Sequence, residues 1–344
     1  MPFEQVQNLV RQGLEMGAYP SASLAVGIGE TVYVKEVYGD CRETTLFDMA
    51  SVSKIIGPTM VAFRFLEEGR IRLYDSVARF FPDAPEDKRE ITILQLMTHT
   101  SGITPHFFLS EHAASPEDAA EAILRYPLDQ APGGDPSYSC MGYILLGKIL
   151  EKVGGMPLDR LVQQYVFIPL GLTRTTYHPR GDVAPTERDP ATGELLRGVV
   201  HDENARFLKG ISANAGIFSD IGDMIRFVQM LALGGRLPNG ECFLSPATLR
   251  AARINRTPQS RGEYRGLGFN LAGSPMNFLG DLMSPQAYGH TGFTGTSFAV
   301  DPATGLWVVL LTNRVCPTRE NLLLIRMRSL IHNAAAAEAG RLTL

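Results

Sequence analysis

The chain has 344 residues, 44% of them hydrophobic, and a formal net charge of −4. A length of this order predicts two domains or one large one with a sizeable core, and the mild acidity gives no electrostatic reason to expect nucleic acid. Gly (34) and Pro (22) are too few for a low-complexity or collagen-like chain, and no apolar run approaches the roughly 18 residues of a membrane-spanning helix.

Apolar positions at Phe3, Val6, Val10 and Leu14 have a helical period and predict a helix over 3–16. Two β-rich runs follow, Ser21–Gly27 and Thr31–Tyr38, with Gly29-Glu30 as the hairpin turn between them. Gly27-Ile28-Gly29 has no helix after it, so it reads as part of that turn and not as a dinucleotide loop. From about Phe47 to Leu233 the pattern is mostly helical. Tyr143–Val153 stops at Gly154-Gly155, and Ile221–Leu233 stops at Gly234-Gly235 after a cap at Ser219 or Asp220. β character returns in Tyr264–Ala272, Ala287–His290, Thr296–Val300 and Leu306–Thr312. The last two are joined by the turn Asp301-Pro302-Ala303-Thr304-Gly305, a pentapeptide also present at Asp189–Gly193 without any longer repeat. A closing helix from about Arg319 carries Leu323, Leu324, Met327, Leu330, Ile331 and Ala334 on one stripe.

This order predicts an α/β chain of the α+β type: one antiparallel sheet built from both chain ends, flanked by helices, with an inserted all-helical domain. The expected division is 1–50 with 240–344 for a discontinuous sheet domain and 51–239 for the helical one. The active site is expected in the cleft between them. Cys41, Cys140, Cys242 and Cys316 are far apart and form no C-x-x-C pair. His99 and His106 stand seven apart and no H-E-x-x-H occurs, so neither a metal nor a cofactor is expected. Met1-Pro2-Phe3-Glu4-Gln5 has no basic or apolar leader pattern, which points to the cytoplasm; a chain trimmed of its signal peptide would read the same.

Only six residues are Lys against 26 Arg, so a Lys within a motif stands out. Ser51-Val52-Ser53-Lys54 is an S-x-x-K. If it opens a helix, Ser51 and Lys54 lie one turn apart on one face, with about 5–6 Å between Cβ atoms. A neutral amine there could take the serine proton, burial and nearby cations could lower its pKa, and the helix N-terminus would favour the alkoxide. The plain alternative is a capped helix start with a solvated Lys.

The run Phe47-Asp48-Met49-Ala50-Ser51-Val52-Ser53-Lys54 resembles the nucleophile segment of the serine β-lactamase and penicillin-binding protein superfamily. The branch it is similar to holds class C β-lactamases, D-alanyl-D-alanine peptidases and related esterases. Further segments stand in that family's order: Leu94–Gly102, Tyr138-Ser139-Cys140, Val200–Ala205 with Gly216–Ser219, and His290-Thr291-Gly292 at the K-T-G or H-T-G position. The resemblance spans about residues 20–315. It implies that Ser51 is the nucleophile, that Lys54 and Tyr138 share its deprotonation, and that both then protonate the leaving group. It also implies an oxyanion hole from the backbone N–H groups of Ser51 and Phe293, with Cys140, His290, Thr291 and Gly292 lining the substrate. The implied partner is a small-molecule ester, amide or β-lactam, with no nucleic acid, membrane or cofactor; the oligomeric state is left open.

Two positions depart from the family pattern. Cys140 stands where an Asn is usual, and a thiol is a weak donor and acceptor, so amide recognition should suffer more than ester cleavage. A second-nucleophile role for Cys140 would need a depressed pKa that no feature of the sequence supports. His290 replaces a fixed Lys charge with a side chain mostly neutral at pH 7, which weakens the demand for an anionic substrate. His99 reads as a loop organiser, His201-Asp202 as an imitation of part of a Ser-His-Asp triad, and Asn214 as a cleft residue by its loop position. The expected function is a serine hydrolase working through an acyl-enzyme, esterase favoured. The alternatives are a D-alanyl-D-alanine carboxypeptidase or β-lactamase, and a non-catalytic ligand-binding module of the same fold.

Overall fold

The computed structural model describes residues 2–274 and 277–342. Met1, Pro275, Met276, Thr343 and Leu344, all within the expected sheet domain, lie outside the described residues. After a helix at Glu4–Glu15, eight strands follow: β1 (Ser21–Ile28), β2 (Thr31–Gly39), β3 (Phe47–Asp48), β4 (Phe218–Ser219), β5 (Asn270–Leu271), β6 (Tyr288–Thr291), β7 (Ser297–Asp301) and β8 (Leu306–Thr312). Six of them form one antiparallel sheet in the order β2-β1-β8-β7-β6-β5, so strands from the two chain ends meet at β1–β8. β3 and β4 make a separate pair.

The sheet is covered on both faces, which is why β8 reads as an unbroken apolar run and is buried throughout. Period-2 alternation divides it: Trp307, Val309 and Leu311 face the large core under the helices, while Leu306, Val308 and Leu310 face the terminal helices. Each such side chain contributes about 1.5–3 kcal/mol on burial. β2, at the edge, exposes most of its residues and carries Lys35 and Glu36, charges that discourage edge pairing. The N-terminal helix packs on the C-terminal helix, Leu323–Leu342. Gly13 permits the approach, since a Cβ there would lie 2.3 Å from Tyr19 Oη and 2.9 Å from Met327 Cε.

Between the sheet segments run the helices Met60–Glu67, Ile93–Met97, Ala119–Arg125, Cys140–Gly154, Leu158–Val162, Glu203–Phe207 and Ile221–Ala232. The stretches 99–118 and 171–202 run mainly as loops, so this region is less helical than its sequence pattern predicts. Cys140–Gly154 is capped by Ser139, whose Oγ accepts the Gly142 N–H at 2.9 Å, and it ends at Gly155 with φ 70°. Asp220 caps Ile221–Ala232 by accepting the Asp223 N–H at 2.9 Å.

Two further expectations are corrected. The run predicted as a strand at Tyr264–Ala272 keeps only Asn270–Leu271, because the chain turns back where Gly266 N–H donates to Phe269 O at 3.0 Å. The closing helix begins at Leu323, not near Arg319, whose guanidinium is bonded instead to Glu187 and Glu203. Its buried stripe is Leu324, Met327, Ile331 and Ala335 with Arg328 and His332, whereas Leu323 and Leu330 are 47% and 37% exposed. The helix is thus rotated from the purely apolar face, and takes two ionisable side chains into the interior. Among the described residues no helix is long and apolar enough to cross a membrane.

Candidate active site

Ser51 lies in a 3-10 turn, Ala50–Val52, that leaves β3 and leads through a π-helical turn, Ile55–Thr59, into Met60–Glu67. The wide turn houses Pro58, which has no N–H to give. Ala50 has φ +44°, a left-handed conformation costing a non-glycine residue on the order of 1–3 kcal/mol. Several bonds hold it there. The buried Asp48 carboxylate accepts the Ala50 N–H at 2.8 Å and the His201 N–H at 2.7 Å. Thr294 Oγ1 donates to Asp48 O at 2.6 Å and Thr296 Oγ1 to Met49 O at 3.0 Å. From the other side Met49 N–H reaches Ile217 O at 2.9 Å, and Ile217 N–H reaches Ser53 Oγ at 3.1 Å.

Lys54 is fully buried, and its Nζ donates to Ser51 Oγ at 3.0 Å, to Asn214 O at 2.9 Å and to Cys140 Sγ at 3.5 Å. Those three acceptors match the three donors of an ammonium. Burial pulls its pKa down, but Cys140 and Tyr138 beside it outweigh burial and raise it above the ordinary lysine value. The neutral amine that Lys54 would need in order to take the serine proton itself is therefore not the favoured form. The spacing does bring Ser51 and Lys54 together as the S-x-x-K pattern predicts.

Tyr138 forms the opposite wall. Its hydroxyl is buried without a hydrogen-bond partner, and its ring lies 4.9 Å from Lys54 Nζ. His99 places it: His99 O accepts the Ser137 N–H at 2.8 Å, Nδ1 accepts the Ser139 N–H at 3.1 Å, and the two rings are 4.4 Å apart. Burial, then the charges of Arg265 and Lys54, push the His99 pKa well below its usual value, so the ring is neutral with its proton on Nε2. His99 is a loop organiser, as its surroundings in the sequence suggest. Asn214 lies against the site, its carbonyl on Lys54 and its Oδ1 accepting from Ser212 Oγ at 2.6 Å.

The third wall is the end of β6. His290 is buried and its Nδ1 lies 2.8 Å from Thr291 O, which leaves the Nε2 lone pair without a partner. Burial and then the Arg265 and Lys54 charges push its pKa well down. Gly292 abuts the Ser51 turn so closely that a Cβ would lie 2.6 Å from Met49 O and 2.3 Å from Thr296 Oγ1. Among the described residues the N–H groups of Ser51 and Phe293 have no backbone acceptor. The Phe293 ring is 49% exposed and packs between His201, with centroids 5.6 Å apart, and Arg314, whose Cζ is 4.7 Å away.

The sequence reading missed three residues here. Arg265 is 2% exposed, sits over the Tyr138 ring with Cζ at 5.0 Å, and is bonded to Glu263 and to Asn270 Oδ1 at 2.9 Å. Asp48 fixes the strained turn, and Arg328 lies under Gly292. A hydrophobic-strand context for Arg265 was the one available signal. The imitation triad does not assemble: His201 Nε2 pairs with Glu187 at 2.9 Å, while Asp202 caps Glu203–Phe207 through the Ala205 N–H at 2.7 Å. No group of three or more His, Cys, Asp or Glu among the described residues could hold a metal ion.

A family model described as beta-lactamase matches residues 6–330. A relative in Escherichia coli K12, provisionally named a D-alanyl-D-alanine carboxypeptidase, is 29% identical over 361 aligned residues, covering 91% of this chain and 82% of its own. One in Salmonella typhimurium with the same name is 30% identical over 358, covering 90% and 81%. Among solved structures, a penicillin-binding protein homologue from Caulobacter crescentus superposes with TM-score 0.78 at 21% identity, covering 98% of this chain and 97% of its own. EstCE1, described as a hydrolase with promiscuous acyltransferase activity, superposes with TM-score 0.76 at 23% identity, covering 95% and 97%. At these identities the structural likenesses speak for the fold, an antiparallel sheet from both chain ends with a helical region between.

Proposed function

The chain belongs to the beta-lactamase family, and from that premise we propose that it is a serine hydrolase that cleaves esters through an acyl-enzyme on Ser51. The observation that carries this reading is the bond from the buried Lys54 Nζ to Ser51 Oγ at 3.0 Å. As an ammonium, Lys54 holds the serine oxygen in place and stabilises negative charge on it. The serine proton then passes to Tyr138, which enters the step as a phenolate facing the Lys54 ammonium and leaves it as the neutral hydroxyl. Ser51 Oγ bonds to the substrate carbonyl carbon, and the carbonyl oxygen takes up negative charge facing the Ser51 and Phe293 N–H groups. Each such donor is worth about 2.7–4 kcal/mol in the transition state. Collapse breaks the carbon–oxygen bond to the leaving alcohol, which receives the proton from Tyr138. Water repeats the attack and releases the acid from Ser51.

Esters are favoured because Cys140 offers its sulfur to Lys54, where an amide side chain could bind a substrate amide, and because His290 is neutral. The test is a fluorophosphonate and, separately, a labelled penicillin, each followed by digestion and location of the adduct. The expected outcome is a fluorophosphonate adduct on Ser51 that disappears in Ser51→Ala. Folded protein that takes up neither reagent overturns the reading.

A second reading, a D-alanyl-D-alanine carboxypeptidase, is favoured by Arg265. Its buried guanidinium over Tyr138 is a permanent cation of the kind His290 lacks, and a peptide carboxylate would have to share it with Glu263, which it already binds. The relatives' provisional name agrees with it. Release of D-alanine from a peptide ending in D-Ala-D-Ala, compared with hydrolysis of a short-chain aryl ester, separates the two readings.

A further inference from the structure

Beneath the β6–β7 turn lies a charge that the chemistry above does not use. Arg328, on the C-terminal helix, is 6% exposed and has no carboxylate partner among the described residues. Its hydrogen bonds run from Nη2 to two carbonyls, Gly292 O at 3.3 Å and Thr296 O at 3.4 Å, and its Nε has no partner. Burial works against the guanidinium, and so does the charge of another cation, Arg314. A buried charge without a counter-ion is destabilising, and an apolar side chain in its place commonly leaves a fold as stable or more so. Packing alone does not explain it.

What Arg328 touches does. Its two acceptors bracket the turn, in which Gly292 N–H donates to Thr296 O at 2.7 Å and Gly295 N–H donates to Gly292 O at 3.1 Å. The peptide unit whose oxygen is Gly292 O has the Phe293 N–H at its other end. The O–C–N unit is planar and conjugated, so a cation on the oxygen draws electron density from the nitrogen and makes the N–H a stronger donor. Coupling of this kind strengthens successive hydrogen bonds by about 10–30% each. It also fixes the plane of the peptide, and so the direction of the N–H. Arg314 cannot take this part, because its Nη1 is bonded to Arg319 O at 3.2 Å and Asn321 O at 2.6 Å.

We propose that Arg328 is a positioning residue for the oxyanion: it clamps and polarises the Gly292–Phe293 peptide so that the Phe293 N–H meets the developing charge. The proposal rests on the reading of Ser51 and Phe293 given above, and fluorophosphonate labelling of wild-type Ser51 tests that reading by itself. Arg328 is tested with an ester and its thionoester, in which C=S replaces C=O and the sulfur accepts poorly from oxyanion donors. In Arg328→Met and Arg328→Gln the acylation rate on the ester falls roughly tenfold with KM little changed. The thionoester loses less, so the ester-to-thionoester ratio drops. Arg328→Lys keeps a charge and recovers part of the ratio. Its ratio then falls as rising pH neutralises the lysine, which sits beside Arg314 and one helical turn from His332, and it does so at lower pH than in the wild type, whose guanidinium burial and Arg314 bring down only to about 9. A folded neutral variant with the wild-type ratio, or one that slows both substrates equally, overturns the proposal. Where neither neutral variant folds, a pH-independent ratio in Arg328→Lys overturns it.

Discussion

The wall that holds Ser51 and the wall that holds Tyr138 are built on opposite terms. Around Ser51 the polar groups are matched: Lys54 has three acceptors, Asp48 two donors, and Thr294 and Thr296 each a carbonyl. On the Tyr138 side, at the end of β6 and at Asn214, by contrast, Tyr138 Oη, His99 Nε2, His290 Nε2 and Asn214 Nδ2 are all buried without a partner. Buried polar atoms are rarely left unmatched, and where they cluster a ligand or water is the usual counterpart. The first wall fixes geometry, and the second keeps hydrogen-bonding groups waiting for partners. With His99 protonated on Nε2 and His290 on Nδ1, the waiting wall offers both a donor and an acceptor.

Tyr138→Phe strikes the waiting wall hardest. The ring keeps its stack on His99 while the hydroxyl is lost, so kcat for ester hydrolysis should fall about 10²–10⁴-fold with little change in melting temperature. Wild-type turnover by this variant would end the contrast between the walls. Asp48→Asn strikes the matched wall instead. One of the two N–H groups would face an NH₂, costing about 1–3 kcal/mol of stability and slowing Ser51 labelling, read by denaturant melts and labelling rates. A variant equal to wild type in both would show that the left-handed turn at Ala50 needs no such support. Cys140→Asn sharpens the comparison at the seam: an amide in place of the thiol should raise β-lactam acylation several-fold relative to ester cleavage. An unchanged ratio removes Cys140 as a cause of selectivity.

The smallest effect on the reaction is expected behind Phe293. Glu187 is half-buried, which raises its pKa, yet the Arg319 guanidinium and amide and the His201 ring outweigh this and hold it at about 2. A depressed carboxylate stabilises the fold above its unfolded value of 4.5, and that contribution is lost as pH falls toward 2. Discounted for the exposed side of Arg319, it amounts to roughly 2 kcal/mol. Acid melts of Glu187→Gln should therefore show a shallower loss of stability over this range than wild type. Identical acid curves would exclude Glu187 as a support of the Phe293 side.

The middle of the sheet was legible where residues are apolar on both faces: Leu306–Thr312 is β8 residue for residue. The Ser51–Lys54 pair was legible because spacing alone fixes which side chains share a helical face, and Lys is scarce in this chain. Arg265 and Arg328 were not, because a single Arg among 26 carries no pattern, and the usual reading of a charge on an amphipathic helix is solvent. Rotation of the C-terminal helix reversed that reading by exposing Leu323 and Leu330 and burying Arg328. Asp48 was visible only as part of a motif, since its work is done through partners at His201 and Thr294 that are remote in the chain.

The β1–β8 pairing has a consequence for the order of synthesis. Ser51, Lys54 and Tyr138 leave the ribosome well before β6 and β8 exist, and the sheet acquires its central pair only when the last strand arrives. Non-local closure of this kind is slow to form and offers little to a partial chain. The Phe293 amide, the Thr294 and Thr296 props and Arg328 all belong to that late segment. A nascent or truncated chain therefore carries Ser51 without the threonine props and the Phe293 peptide that stand beside it in the finished sheet.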